Sequence, residues 1–252
     1  MKPVFFIGAG PGDPELLTVK AHRILKEADL VVWAGSLINP EVLQICKPGA
    51  QIVDSAELTL NQIVDGLESG YRQGLAVVRL HTGDPSIFGA LQEQLRLLRE
   101  REIPFRIIPG VSSFLAAAAA LEIEYTIPEL TQTVILTRAS GRTPVPAAES
   151  IIELAKHHSS LCIFLSAQQI EAVVQDLSKT LPAQTKVAVV EKASWPEERI
   201  VKGNLEDIVA KVQTAGINKT ALIIVGQCLD DCTERSKLYD AEFSHGYRVS
   251  SQ

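Results

Sequence analysis

A glycine-rich loop with the sequence GAGPGDPELLT occupies residues 8–18, between an apolar run and a helical pattern. A strand, a glycine loop and a helix in this order are typical of sites that bind a dinucleotide phosphate. Two residues argue against that function: Asp13 stands where the pattern requires its third glycine, and Pro11 has no backbone N–H to donate. No Gly-Lys-Ser/Thr sequence follows, which excludes a P-loop. From its residues alone, the loop is predicted to be a tight turn with Asp13 near a helix N-terminus.

A second loop, HTGDPSIFGA over residues 81–90, follows another apolar run. Open α/β sheets bind their ligands at the carboxyl ends of the strands, where this loop must lie. Asp84 is predicted to cap a helix that begins at Pro85. Capping does not account for Gly83 and Gly89, which indicate a close approach of the backbone to another group.

Two serines precede an alanine-rich stretch in PGVSSFLAAAAA, residues 109–120. Ser112 or Ser113 is predicted to cap a short buried helix. The alanines indicate that another backbone packs closely against this helix, as in a dense protein core. Core packing is sufficient to explain them, so this stretch predicts no chemistry by itself.

Two arginines stand in TRASGRTPVP, residues 137–146, a segment rich in Ser, Gly, Thr and Pro. The guanidinium groups of Arg138 and Arg142 match carboxylates bidentately, so the loop is a candidate carboxylate site. A solvated loop whose charges serve solubility is the alternative. The segment alone leaves both interpretations open.

The segment EKASWPEERIVKG, residues 191–203, is predicted to form a strand, a polar turn and a returning strand. Trp195 lies in that turn. The large apolar ring of tryptophan is usually buried with its N–H paired, so Trp195 is predicted to be packed rather than to act as a lid.

The loops are positioned by strands that alternate with amphipathic helices. The first half predicts strands over residues 4–8, 30–35, 75–80 and 104–110, and helices over residues 14–27, 60–73, 86–99 and 113–121. A second cycle of strands is predicted over residues 133–138, 161–166, 186–191, 198–203 and 220–226. This alternation predicts an α/β fold whose first lobe has a mostly parallel sheet. We expect an N-terminal α/β lobe over residues 1–120, a C-terminal α/β lobe over residues 121–232 and a polar tail over residues 233–252.

Composition narrows the classes of function. The chain has 252 residues, 46% of them hydrophobic, and a net charge of −6, which is ordinary for a globular protein and unlike a nucleic-acid binder. Its four cysteines do not have the spacing of zinc ligands, so no metal site is predicted. No apolar run reaches the ~20 residues that a membrane span requires, and the N-terminus has no signal-peptide pattern. We therefore expect a cytoplasmic protein without nucleic-acid or membrane partners.

Taken together, the loops resemble those of the tetrapyrrole (corrin/porphyrin) methylase family. The resemblance runs through GAGPGDPELLT, HTGDPSIFGA and PGVSSF in the first lobe, and through TVILTRASGRTP, EKASWPEERIVKG and TALIIVG to about residue 229. Within the family, AGSLINPEVL, IPELTQTVILTRASGRTP and EKASWPEERIV are similar to the branch that methylates C11 of precorrin-4 or cobalt-precorrin-4. Any one motif is weak, whereas the ordered set is specific.

The resemblance implies two α/β lobes with a ligand cleft between them, a homodimer, and S-adenosylmethionine as the methyl donor, which leaves as S-adenosylhomocysteine. The positions that it implies as neighbours of the donor are Pro11, Thr82, Gly83, Asp84, Ile87, Ser112, Ser113, Leu165, Ser166, Ala193 and Ala221. S-adenosylmethionine has no phosphate, which agrees with the failed dinucleotide pattern. Carbonyl groups and a carboxylate such as Asp84 suit its ammonium and sulfonium charges.

The resemblance also implies an enzyme that catalyses direct displacement, in which an electron-rich ring carbon of the tetrapyrrole attacks the methyl group. Arg138 and Arg142 would then hold carboxylate side chains of the macrocycle. Asp13, Lys192 and Arg199 are further candidates for substrate binding. Because the methyl group is already activated, the protein supplies alignment and a dry site, and no catalytic base is predicted.

Three other functions stay open. An enzyme that methylates uroporphyrinogen III or another precorrin position would differ in which arginines meet which carboxylates. An RNA methyltransferase, which the family includes, is disfavoured by the net charge of −6 and the lack of a basic stripe. A non-catalytic sensor of S-adenosylmethionine would keep the same binding loops.

Overall fold

The described chain forms two compact units. The computed structural model describes residues 1–35, 37–231, 244 and 246. The first unit contains residues 1–117 and the separate segment 192–198, and the second contains the remaining described residues. The predicted polar tail lies, apart from residues 244 and 246, outside the described residues. None of the sequence patterns above predicts that residues 192–198 group with the first unit.

The first unit is built on a parallel sheet of five strands. The strands are β1 (Val4–Gly8), β2 (Leu30–Trp33), β3 (Gln51–Asp54), β4 (Val77–His81) and β5 (Phe105–Ile108). Their order across the sheet is β3-β2-β4-β1-β5, and every pairing is parallel. The α/β fold with a parallel first sheet, predicted from the alternation of strands and helices, is confirmed.

Two apolar cores, one on each face of this sheet, hold its helices. The helices are α1 (Val19–Lys26), α2 (Leu60–Arg72) and α3 (Leu91–Glu100). A further helix, α4 (Ser113–Leu121), contributes residues 113–117 to the first unit and residues 118–121 to the second. Leu67 of α2 and Leu98 of α3 share one core with Phe6 of β1. Leu25 of α1 shares the other core with Ile7, the next residue of β1. Because successive strand residues point to opposite faces, both faces of the sheet are covered.

Three features of the first unit differ from the prediction. Strand β3 was not predicted, because all four of its side chains are exposed and it lacks the apolar run that marks a buried strand. The helix expected over residues 86–99 begins only at Leu91. The helix expected over residues 14–27 is a 3₁₀ turn at Pro14–Leu16 followed by α1. Because α3 begins only at Leu91, residues 82–90 form a longer loop than predicted.

The register of the first sheet brings three loops to one edge. Gly8 at the end of β1 pairs with His81 at the end of β4. Ile7 pairs with Ile108 at the end of β5. The loops that follow β1, β4 and β5 thus start side by side at the carboxyl edge, where open α/β sheets bind ligands.

The second unit has a mixed sheet of five strands. The strands are β6 (Val134–Arg138), β7 (Ser160–Phe164), β8 (Lys186–Glu191), β9 (Arg199–Asn204) and β10 (Ala221–Val225). Their order is β6-β7-β10-β8-β9, with β6 and β7 parallel and the other pairs antiparallel. The helices are α5 (Ile151–Ala155), α6 (Ile170–Leu177) and α7 (Ile208–Ala215). Within the described residues, no helix has the length and apolar character needed to cross a membrane.

Candidate functional site

Three glycines allow the loops at the carboxyl edge of the first sheet to meet. We call these the glycine loops: residues 8–13, 82–90 and 109–112. A Cβ atom added to Gly110 would lie 2.2 Å from the Gly83 carbonyl oxygen and 2.8 Å from the Gly8 Cα atom. A Cβ atom added to Gly8 would lie 2.5 Å from the same carbonyl oxygen. Only residues without a side chain permit this contact between three backbone segments.

Backbone hydrogen bonds join the first two glycine loops. The Gly83 amide donates to the Gly10 carbonyl at 2.8 Å, and the Gly10 amide donates to the Gly83 carbonyl at 3.3 Å. Both glycines have left-handed backbones, with φ of 76° at Gly10 and 57° at Gly83. The close approach inferred from Gly83 in the sequence is therefore an approach to the protein's own backbone.

Asp84 joins the second glycine loop to the third. Its Oδ2 atom accepts a hydrogen bond from the Gly110 amide at 2.9 Å, and its Oδ1 atom accepts from the amide of Ser86 at 2.8 Å and from the Ser86 hydroxyl. Burial opposes ionisation of this carboxyl, but the hydrogen bonds outweigh burial and lower its pKa. Asp84 does not cap a helix at Pro85, because α3 begins at Leu91 and the intervening residues form a loop closed by these bonds.

The end of the second glycine loop contains backbone strain. Phe88 and Ala90 have left-handed backbones, with φ of 51° and 45°. Gly89 lies between them, and a Cβ atom there would be 2.3 Å from the Pro85 carbonyl oxygen. Such backbone conformations cost energy in residues other than glycine, and they cluster at functional sites.

Two buried polar residues of β4 lie beneath these loops, and the sequence analysis did not identify either. Arg79 donates to the Gln94 side chain at 3.1 Å and to the Ser55 hydroxyl at 3.0 Å, and burial lowers its pKa to about 10. His81 is 5% exposed. Burial, assisted by the charge of Arg79, lowers the pKa of His81 to about 3, and its Nε2 atom has no hydrogen-bond partner in the described chain. A signal was present, because Arg79 and His81 interrupt an otherwise apolar strand.

The segment 192–198 contacts the first glycine loop within the first unit. The Trp195 Nε1 atom donates to the Pro11 carbonyl at 2.9 Å, and the Ser194 hydroxyl accepts from the Asp13 amide at 3.0 Å. Trp195 is thus packed, as its residue type predicts.

The predicted ligand residues fall into two sets. Ten of them lie in the first unit: Pro11, Asp13, Thr82, Gly83, Asp84, Ile87, Ser112, Ser113, Lys192 and Ala193. The others lie in the second unit: Arg138, Arg142, Leu165, Ser166, Arg199 and Ala221. Of the ten residues in the first unit, seven belong to a glycine loop, and Ser113 directly follows the third loop. Lys192 and Ala193 belong to the segment 192–198, which contacts the first loop.

The Arg138 side chain in the second unit donates hydrogen bonds to the loop that follows it, and we call residues 138–144 the arginine loop. One terminal nitrogen of its guanidinium donates to the carbonyls of Ala139 at 3.3 Å and Thr143 at 3.0 Å. The other donates to the Pro144 carbonyl at 2.9 Å. The Arg142 side chain, in contrast, is exposed and makes neither a hydrogen bond nor an ion pair with any residue that the structure describes. The loop is therefore shaped by one arginine and presents the other.

Of three further predicted residues of the second unit, Ser166 and Arg199 form polar contacts within that unit, and Leu165 is exposed. Ser166 is buried, and its hydroxyl accepts from the Ala139 amide at 2.9 Å and donates to the Phe164 carbonyl at 2.6 Å. Leu165 is 62% exposed and has a left-handed backbone, with φ of 53°. Arg199 forms a salt bridge of 2.6 Å with the mostly buried Glu191, which leaves less of its charge for a ligand.

Comparison with protein families and characterised sequences finds extensive similarity. Residues 3–209 match the family described as Tetrapyrrole (Corrin/Porphyrin) Methylases. A cobalt-precorrin-4 C(11)-methyltransferase of Methanocaldococcus jannaschii is 50% identical over 99% of this chain and 97% of its own length. A precorrin-4 C(11)-methyltransferase of Pseudomonas aeruginosa is 46% identical over 97% of this chain and 98% of its own length.

The chain is also similar to solved structures of methyltransferases. A cobalt precorrin-4 methyltransferase, CbiF, described as a cobalamin biosynthetic enzyme, has a TM-score of 0.88 and 45% identity over 90% of this chain and 95% of its own. A uroporphyrin-III C-methyl transferase from Thermus thermophilus, complexed with S-adenosylhomocysteine, has a TM-score of 0.76 and 28% identity. It covers 90% of this chain and 99% of its own.

Proposed function

Because this chain belongs to the tetrapyrrole (corrin/porphyrin) methylase family, we propose that it transfers a methyl group from S-adenosylmethionine to C11 of precorrin-4 or cobalt-precorrin-4 in cobalamin biosynthesis. The observation that carries the proposal is the junction of the three glycine loops at the carboxyl edge of a parallel sheet, in a chain similar to C(11)-methyltransferases over nearly its whole length.

The glycine loops fit S-adenosylmethionine better than a phosphate ligand. The Gly10 amide is hydrogen-bonded to Gly83, the Asp13 amide is bonded to Ser194, and Pro11 has no amide N–H, so three positions that would serve a phosphate are unavailable. The Asp84 carboxylate has about four lone-pair positions and uses three of them on Ser86 and Gly110, which leaves one for a cationic group. When bound, S-adenosylmethionine supplies a methyl group that its sulfonium has already activated.

We assign the ten first-unit residues named above to one binding region. Asp84 keeps a negative charge at neutral pH, because its hydrogen bonds lower its pKa. That charge suits the ammonium or sulfonium of the donor. The glycines let the three loops meet, which gathers the predicted donor neighbours of all three loops at one edge of the sheet. Leu165, Ser166 and Ala221 of the second unit stay proposed neighbours of the donor.

On the substrate side, we propose that Arg142 binds a carboxylate of the tetrapyrrole. Its guanidinium is exposed and has no partner among the described residues, so binding requires no existing bond to break. Arg138 stays a candidate for the same task, although its bonds to three carbonyls point to shaping the arginine loop. Lys192 and Arg199 are weaker candidates for the carboxylate, Arg199 because of its salt bridge to Glu191. Asp13 has a carboxyl side chain, so it stays a candidate only for a hydrogen-bond donor of the tetrapyrrole.

No general base is required in this proposal. Alignment of two bound reactants can lower a barrier by about 7–11 kcal/mol, which makes positioning the main contribution of the protein. Exclusion of water from the reacting groups adds to this contribution. We further propose that the protein acts as a cytoplasmic homodimer, which sedimentation analysis of the purified protein and localisation of the tagged full chain would test.

The test is incubation of the protein with precorrin-4 and, separately, with cobalt-precorrin-4, using a donor labelled with ¹³C in its methyl group. We expect one added methyl group by mass and a single labelled position, C11, by carbon NMR. Label at another carbon, or acceptance of uroporphyrinogen III instead, would assign the protein to another position of the macrocycle. Binding of S-adenosylmethionine without transfer to any tetrapyrrole would make it a sensor.

A further inference from the structure

The turn formed by residues 192–198 contacts three successive residues of the first glycine loop, and we call it the clamp turn. The indole N–H of Trp195 donates to the Pro11 carbonyl at 2.9 Å. The indole ring occupies the space beside Gly12, where an added Cβ atom would lie 1.9 Å from the Trp195 Cδ1 atom. The next amide, that of Asp13, donates to the Ser194 hydroxyl at 3.0 Å. The clamp turn therefore restrains this stretch of the loop residue by residue.

A residue outside the clamp turn, Asn39, also restrains the first glycine loop. The buried Asn39 side chain donates to the Gly12 carbonyl at 3.0 Å and accepts from the Glu41 amide at 3.1 Å. Gly10 is held by Gly83. Each residue from Gly10 to Asp13 thus has at least one backbone group in a fixed hydrogen bond. Buried backbone groups that are paired in this way resist rotation of their peptide planes.

The clamp turn is itself held in one conformation. The Ser194 amide donates to the Glu198 carboxylate at 2.7 Å, and the Trp195 amide donates to the Lys192 carbonyl at 2.9 Å. The Lys192 ammonium lies 5.2 Å from the centre of the indole ring, a cation–π distance. Lys192 and Ser194 both have left-handed backbones, with φ of 49° and 70°. A loose connection between two strands would not retain such strain.

We propose that Trp195 is a positioning residue for methyl transfer, which acts by holding the Pro11–Asp13 backbone in one orientation. The proposal rests on the proposed function, in which Pro11 adjoins the methyl donor and Asp13 adjoins the tetrapyrrole. These two residues are separated only by Gly12, so rotation of its peptide groups would change the alignment of donor and acceptor. Reaction rate is more sensitive to alignment than binding is, because small displacements of reacting atoms cost large factors in rate.

The first test replaces Trp195 by phenylalanine, which keeps an aromatic ring and removes the donor to Pro11. We expect kcat to fall about 10-fold or more, while the dissociation constant for S-adenosylhomocysteine changes by less than about 3-fold. Trp33→Phe, at the other tryptophan of the chain, is the matched control and should leave both values unchanged. Loss of folded protein with normal kcat per folded molecule would overturn the proposal, because it would mean a structural role only.

The second test uses Gly12, whose backbone φ lies outside the left-handed region, so alanine fits its conformation. The three atoms nearest to an added Cβ all belong to Trp195. Gly12→Ala should therefore lower kcat about 10-fold when the indole is present and less than about 2-fold in a Trp195→Ala background. Gly66→Ala, at a glycine of α2 with no atom within 4 Å of the added Cβ, is the control. Effects of Gly12→Ala and Trp195→Ala that simply multiply would overturn the proposal.

A fluorescence measurement separates this proposal from the proposed function. In a Trp33→Phe background, Trp195 is the single tryptophan. Saturation with S-adenosylhomocysteine should change its emission, and Gly12→Ala should abolish that change. An unchanged emission at saturation, verified by calorimetry, would overturn the proposed coupling of Trp195 to the donor through the first glycine loop. If instead the emission responds but no tetrapyrrole is methylated, the proposed function fails. The contact of Trp195 with the first glycine loop then stands, but its positioning role in methyl transfer is overturned together with the function.

Discussion

The glycine loops of the first unit and the arginine loop of the second obtain their shapes by opposite means. The glycine loops are joined by backbone atoms, with Gly10 bonded to Gly83 and no space for a side chain at Gly110. The arginine loop is held by one side chain, Arg138, on its own carbonyls, and it leaves Arg142 exposed. A site shaped by backbone is preformed and intolerant of added atoms. A site shaped by side chains presents charge and tolerates change, so we expect donor binding and substrate binding to respond differently to substitution.

Gly110→Ala should have the largest effect. Its Cβ atom would lie 2.2 Å from the Gly83 carbonyl oxygen, and a backbone atom cannot move aside as a flexible side chain can. We expect the free energy of unfolding to fall by about 2–3 kcal/mol and affinity for S-adenosylhomocysteine to fall about 100-fold. Calorimetry and thermal unfolding measure the two quantities, with Gly66→Ala as control. Affinity within 2-fold of the wild type would show that the three loops do not form the donor site.

Asp84→Ala should have the next largest effect, because it leaves the Gly110 amide and two donors of Ser86 without their acceptor. Hydrogen bonds to a charged group contribute about 1.5–3 kcal/mol, so we expect donor affinity to fall about 10- to 100-fold. Asp84→Asn keeps one acceptor oxygen and should lose less. Unchanged affinity in titration calorimetry would contradict the assignment of Asp84 to the donor.

Substitution in the arginine loop should affect the other substrate. Arg142→Ala should raise KM for the tetrapyrrole about 10-fold, through loss of a charged hydrogen bond, with donor affinity unchanged. Arg138→Ala should act in the same direction by releasing three carbonyls, and the double variant should again raise tetrapyrrole KM more than it alters donor binding. Lysine at position 138 should not restore the loop, because an ammonium lacks the planar fork. A loss of donor affinity without a rise in tetrapyrrole KM would reverse the roles of the two regions.

Lowering the pH should reduce the free energy of unfolding through protonation of His81, which is buried in the first unit. Its folded-state pKa of about 3 lies below the ordinary value of 6.5, so the unfolded chain takes up the proton first. The stability that neutral His81 contributes is fully present above pH 6.5 and is lost as the pH falls from 6.5 towards 3. The loss is at most about 1.4 kcal/mol per pH unit, and His81→Gln should remove that part of the pH dependence. Parallel curves of unfolding free energy against pH for wild type and variant would contradict this.

The sequence predicts the buried strands well, and it predicts the exposed strand and one helix start poorly. The buried strand β1 is a continuous apolar run and β4 is largely apolar, so the sequence predicts the bounds of both to within a few residues. β3 was missed because its side chains are exposed, and the start of α3 was misplaced because Asp84 followed by Pro85 is also a helix-start pattern.

The missing parts of the site depend on contacts between residues distant in sequence. The bond between Trp195 and Pro11 joins residues that are 184 positions apart, and no local pattern predicts it. The same is true of the Gly110 amide that binds Asp84. The ordered motifs locate the glycine loops in the sequence, whereas the contacts that each residue makes are visible only in the three-dimensional structure.

The most direct test of the account is the amide NMR spectrum of protein labelled with ¹⁵N at its 16 glycines, titrated with S-adenosylhomocysteine. The account predicts that the signals of Gly10, Gly83 and Gly110 shift together and saturate at one equivalent, while that of Gly66 in α2 does not move. Shifts confined to glycines outside the three glycine loops, at full saturation, would contradict the claim that these loops bind the methyl donor.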